Sequence, residues 1–162
     1  MGFLSRFFSP KKPKDPPLDH LPLSPHPLRG WTNLGLYEVH GINPKTKRNN
    51  KRCYEAFTED HARNQALADG LVDPITVEEV PSDMASERQI ELCKNLGIHA
   101  DFRYMTMTDV SALIWYHDDH DKRKITDEEW AVACKAGYPI SALCGPTHYR
   151  YIMKHGTWKF RD

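Results

Sequence analysis

The sequence predicts an α+β protein: a small ββαβ module, then a helical module of about four short helices, with a Pro-rich extended arm in front. Three observations predict it. Between residues 36 and 81, short stretches of alternating apolar and polar residues flank a turn and one helical stripe. Beyond residue 82, capping signals recur ahead of apolar stripes that end on glycine. Ahead of both, seven of the twelve prolines crowd between Pro10 and Pro27.

Residues 1–35 form the arm. Proline lacks an N–H and fixes φ, and the apolar residues here follow no period, so an extended or polyproline-like chain is expected. Such a segment has no face to give to a core, and its removal is expected to leave stability unchanged. Phe3, Leu4, Phe7 and Phe8 are candidate apolar anchors for a partner.

The ββαβ module spans residues 36–81. Leu36 to Ile42 reads as a strand with Tyr37, Val39 and Gly41 on one face, and Lys51 to Phe57 as its return across the turn at residues 43–50. Thr58 is a good helix N-cap, with Glu59 and Asp60 suited to the positive helix start. Ala62 and Ala66 make a small-residue stripe for close packing on a sheet, and Gly70 ends the helix. Ile75 to Val80 supplies a third strand.

The helical module spans residues 82–162. Ser86 with Gln89, Thr106 with Asp109, and Thr126 with Glu129 each have the spacing of a capping box. The first helix carries Ile90, Cys93 and Leu96 on its buried side, the second Val110, Leu113 and Ile114. Ile125 and Trp130 occupy the positions of a hydrophobic staple on the third. Gly145-Pro146 starts the fourth, with Tyr149, Ile152 and Met153 on one face. Two helix–loop–helix units follow from these spans.

Composition narrows the function. No apolar run approaches the ~20 residues of a membrane-spanning helix, and the start lacks both a signal-peptide core and the Ser or Thr of a myristoylation site, since Arg6 stands there. A cytoplasmic protein is expected. Cys53, Cys93, Cys134 and Cys144 form no C-x-x-C pair and read as reduced, buried thiols. Lys plus Arg equals Asp plus Glu, 22 each, so the chain lacks the overall basic excess of a dedicated duplex binder.

The segments Tyr37 to Thr46, Tyr54 to Glu59 and Ala66 to Leu71 resemble small ββαβ modules of uncharacterised bacterial and phage proteins. They are also similar to the hairpin-plus-helix of integrase arm-binding domains, whose sheet reads DNA. The run from Ser86 to Glu91, with Leu96 to Ile98 and Thr106 to Ile114, resembles the helix–extended loop–helix units related to SAP motifs. Met107 stands where those motifs often carry a basic residue. These resemblances imply a bacterial or phage origin and contact with nucleic acid.

Catalytic patterns are not seen: the sequence has no G-x-S-x-G, P-loop, G-x-G-x-x-G or H-E-x-x-H. Cys144 with His148 has helical spacing but no orienting acid, and adding Cys134 gives no standard zinc spacing. His117-Asp118-Asp119-His120-Asp121 runs straight into Lys122-Arg123-Lys124, which favours a charged, solvated connector over a metal site. No enzyme activity, cofactor, metal or small-molecule substrate is therefore expected.

Two charge features are candidates for binding. Lys45, Lys47, Arg48, Lys51 and Arg52 place five cations in eight residues around the hairpin turn, with no acid among them. A two-stranded ribbon with a basic tip suits phosphate contact. The C-terminal stretch interleaves aromatics with Arg150, Lys154, Trp158 and Lys159, which suits base stacking or a protein groove. The expected function is a non-enzymatic binding protein in nucleic-acid transactions, with DNA or RNA as partner. The alternative is a phage or mobile-element inhibitor that binds a host protein such as a defence nuclease, in the manner of an anti-CRISPR.

Overall fold

The computed structural model describes residues 20–156. Phe3, Leu4, Phe7 and Phe8 of the expected arm, and Trp158 and Lys159 of the expected C-terminal site, lie outside the described residues. The fold is α+β, with a three-stranded antiparallel sheet and, among the described residues, five α-helices and one 3-10 turn.

Strands β1 (Gly35–Ile42) and β2 (Asn49–Ala56) form a hairpin, helix α1 (Glu59–Ala68) follows, and β3 (Val72–Val80) returns to the other side of β1. The sheet order is β2-β1-β3. Alternation in β1 sends Gly35, Tyr37, Val39 and Gly41 to the buried face. There they meet Ala62 and Ala66 of α1, both fully buried, with Leu71 and Ile75 closing the core. The approach at Gly41 is close: a Cβ there would lie 3.1 Å from the Leu71 Cβ, and Leu71 would have to give way slightly. The opposite face carries Glu38, His40, Lys51 and Cys53 and is solvated, as antiparallel sheets allow.

β3 begins at Val72, three residues before its expected start at Ile75. Val72 pairs with Ile42 beyond a register shift in the ladder, and Pro74 sits in the segment between the paired positions. As β3 is an edge strand, the missing proline N–H costs the ladder nothing essential.

Helices α2 (Glu87–Asn95), α3 (Met107–Asp118), α4 (Asp127–Lys135) and α5 (Pro146–His155) follow, with the 3-10 turn at Phe102–Tyr104. The reciprocal capping boxes at Ser86/Gln89, Thr106/Asp109 and Thr126/Glu129 are all present. Ile125 and Trp130 are both buried, as a staple across the start of α4 requires. They share a cluster with Ala112, Ala133, Ile140, Cys144 and Ile152. A second cluster joins Cys93, Met105 and Val110 beneath α2 and α3.

Residues 20–34 correct the expectation of an arm without a place in the core. Arg29, Thr32 and Asn33 are buried. Asn33 Oδ1 accepts from the Ile140 N–H at 2.9 Å, and its Nδ2 donates to the Tyr138 carbonyl at 3.0 Å. The Asn33 N–H donates to the Ile140 carbonyl, and the Trp31 carbonyl accepts from Ala142. Arg29 faces Glu79 of β3 at 3.6 Å, both side chains largely buried. Lack of apolar period does not mean lack of contact here, because the segment docks through its backbone, the Asn33 amide and Arg29, with Leu21 and Trp31 packed on the apolar clusters.

Two further expectations change. Cys93 and Cys144 are buried thiols, but Cys53 lies exposed on the open sheet face and Cys134 is half-buried. Of the expected connector, His117 and Asp118 end α3 and are exposed, as is His120 beyond it, whereas Asp119 is buried. Helix α5 starts at Gly145, which has no side chain to cap it. Asp119 does so from a distance, accepting from the Thr147 N–H at 3.1 Å and the Thr147 hydroxyl at 2.9 Å. Burial works to raise this carboxyl, but the Thr147 and Asp121 hydrogen bonds and the nearby Arg150 charge hold it below the usual range.

Candidate nucleic-acid interface

The hairpin tip is an ordered turn. Asn43 Oδ1 accepts from the N–H groups of Lys45 at 2.9 Å and Thr46 at 3.4 Å, an Asx turn that the residue type favours. The Asn43 carbonyl accepts from Lys47 at 2.8 Å, and its N–H donates to the Arg48 carbonyl at 3.0 Å. Lys47 takes a positive φ of 58°, which turns the chain back into β2. Lys45, Lys47 and Arg48 are thus presented on a backbone that is already fixed. All three are exposed, and none forms an ion pair among the described residues.

Lys51 and Arg52 differ from those three. Lys51 Nζ lies 2.5 Å from Glu38 Oε2, and the other Glu38 oxygen takes His40 at 2.7 Å. The Lys51 hydrogen bond, then that from His40, holds the Glu38 carboxyl below its ordinary range. Arg52 Nη1 donates to the Asp69 carbonyl at 3.3 Å and faces the Asp69 carboxylate at 3.6 Å, while the Tyr54 hydroxyl donates to that carboxylate at 2.9 Å. The acids missing from the tip in sequence are supplied by the neighbouring strand and the end of α1. Three of the five cations remain uncompensated.

Arg150 and Lys154 lie on the exposed side of α5. Arg150 donates weakly to Thr147 Oγ1, 3.4 Å away. Sequence reading included Tyr151 in the aromatic and basic run but missed Trp115 and His148. Trp115 of α3, 40% exposed, lies against His148, and Tyr151, 49% exposed, meets the same indole. The signal available was the spacing of His148, Tyr151 and His155, which shares one helical face; their partner on α3 was not visible from that spacing.

Burial pushes the Cys144 thiol up to about 12, and burial holds His148 down to about 4. The thiol donates to the Gly145 carbonyl at 3.3 Å. Among the described residues, no three His, Cys, Asp or Glu side chains gather as a metal site would need. No described helix is long and apolar enough to cross a membrane.

A cavity of about 780 Å³ opens beneath residues 20–33, bordered by Leu21, Pro25, Pro27, Asp127 and Trp130. Leu21 donates its N–H to Asp127 Oδ1 at 3.0 Å across its edge. No protein-family model, curated protein or solved structure matches the chain.

Proposed function

We propose that this is a non-enzymatic binding protein that acts in nucleic-acid transactions and takes phosphate at its hairpin tip. The observation that carries the reading is the fixed turn bearing Lys45, Lys47 and Arg48 without acidic partners. A rigid turn with three free cations neutralises phosphates without first breaking ion pairs or ordering the backbone. Lys51 and Arg52 contribute less, because Glu38 and Asp69 already hold them. The neutral overall balance suits a focused contact rather than a long electrostatic footprint.

The test is the charge-reversed variant Lys45→Glu, Lys47→Glu, Arg48→Glu, titrated against labelled duplex and single-stranded DNA and RNA. Near 50 mM salt the native protein binds, and the variant loses duplex binding while its unfolding midpoint stays in place. The slope of log K against log salt flattens by roughly 0.9 for each duplex phosphate contact removed. A native protein that shows no salt-dependent binding to any of these probes overturns the reading.

A further inference from the structure

A second feature gathers rings and a cation across α3 and α5, away from the hairpin. Trp115 lies flat on the His148 imidazole, with centroids 5.0 Å apart and planes 3° from parallel. Tyr151 meets the same indole at 5.1 Å and His155 at 4.6 Å. His148, Tyr151 and His155 stand at i, i+3 and i+7 on α5, which places them on one side of the helix.

None of these rings belongs to the three core clusters. Trp115 and Tyr151 leave 40% and 49% of their surface uncovered, an unusual state for large aromatic side chains. Lys154, three residues beyond Tyr151 on α5, is exposed, whereas Arg150 is turned toward Thr147 and Asp119. Lys154 forms no ion pair among the described residues. Burial keeps the His148 ring neutral, so it supports the indole as an uncharged plane rather than as a cation.

A ligand matched to this row must offer flat π faces and negative charge together. In a duplex the base faces are consumed by stacking, whereas a single strand offers both. We propose that the ledge of Trp115 and Tyr151, rimmed by Lys154, binds single-stranded nucleic acid. Unpaired bases stack on the rings and Lys154 takes an adjoining phosphate. The inference rests on the nucleic-acid reading above but uses different residues, so the two fail separately.

The experiment titrates fluorescein-labelled oligo(dT), and a duplex of mixed sequence, into the full chain at low salt. It follows both anisotropy and tryptophan emission. Trp115→Ala and Tyr151→Ala should each weaken oligo(dT) binding roughly five- to hundred-fold and leave duplex binding little changed. Trp115→Phe should retain most of the affinity but lose the ligand-induced quenching of emission. Melting curves check that the exposed positions tolerate the changes, and the Phe variant keeps the test decisive if Trp115→Ala unfolds. The tip variant Lys45→Glu, Lys47→Glu, Arg48→Glu should retain oligo(dT) affinity at the ledge. Oligo(dT) binding that survives both Ala variants overturns the proposal. So does a native protein that binds duplex but not oligo(dT), which leaves the hairpin reading intact and gives the ledge to a protein partner.

Discussion

Around the sheet, the core is Tyr37, Val39, Ala56, Ala62, Ala66, Leu71 and Ile75, and the backbone is paired by strand neighbours. Around α3, α4 and α5 the interior is also apolar, but it is crossed by buried polar side chains that bond to distant backbone. The buried polar residues Arg29, Thr32, Asn33, Thr106, Asp109, Asp119 and Ser141 all lie in 20–34 or beyond residue 80. The difference follows from what each region must satisfy. A sheet pairs its own N–H and carbonyl groups, whereas short helices joined by irregular segments leave orphan donors that something must accept. In the helical region a few carboxylates and one amide do that, and stability is concentrated in them.

Asp109 is the extreme case and carries the largest expected effect. It is fully buried, and Oδ2 accepts from the N–H groups of Trp31 at 3.0 Å and Thr106 at 2.9 Å. Oδ1 accepts from the Ser141 hydroxyl at 2.6 Å. Gly30 is needed beside it, because a Cβ there would fall 2.3 Å from Oδ2, and its φ of 62° also favours glycine. Asp109→Ala leaves two buried N–H groups without an acceptor and should cost roughly 3–5 kcal/mol in urea unfolding. Asp109→Asn keeps an acceptor for both and offers its amide to Ser141, so its loss near neutral pH should be much smaller. Equal losses from the two variants would break the account of the hub.

The same carboxyl predicts a pH signature. Burial raises its pKa, against the lowering effect of its hydrogen bonds from Ser141, Thr106 and Trp31. An acid raised on folding binds its proton more tightly when folded. Its contribution is therefore fully present below the ordinary carboxyl range and is lost as pH rises through the folded value. Asp109→Asn should remove that fall, so native and variant stabilities, measured at stepped pH, converge in one direction only. A difference between them that does not change with pH would show that burial does not dominate this site.

Asn33→Ala should have an intermediate effect. It strips the acceptor from the buried Ile140 N–H and the donor from the Tyr138 carbonyl, and should cost about 1–3 kcal/mol. Asn33→Asp should cost at least as much, because its second carboxylate oxygen would face the Tyr138 carbonyl, acceptor against acceptor. An effect near zero would mean that residues 20–34 rest on the helical region without holding it.

Neither Asn33 nor Asp109 could be assigned these roles from the sequence. The capping boxes were legible because their partners are three residues apart, and so were the strands, whose alternation is local. Asp109 was read correctly as the far member of the Thr106 box, but its bond to the Trp31 N–H spans 78 residues. Asn33 and the Ile140 N–H are 107 apart. The same limit applied to the sites. The tip cations were visible as a run, but the acids that occupy Lys51 and Arg52 arrive from β1 and the end of α1. The Trp115–His148 stack joins two helices whose packing no spacing rule supplies.

The smallest effect tests whether the two regions are separable. Thr58 caps α1 with an extended backbone, and its hydroxyl accepts from the His61 N–H at 3.1 Å. Thr58→Ala should cost about 1 kcal/mol, and Thr58→Ser should recover most of it. Hydrogen exchange then shows where the loss is felt. If the regions open separately, amides in β1 and α1 lose protection while those of α4 and α5 keep theirs. A uniform loss would mean that the buried Arg29–Glu79 contact and the Leu28–Ser82 backbone bond couple sheet and helices into one cooperative unit. The contrast between the regions would then describe how each is held, with no consequence for how they unfold.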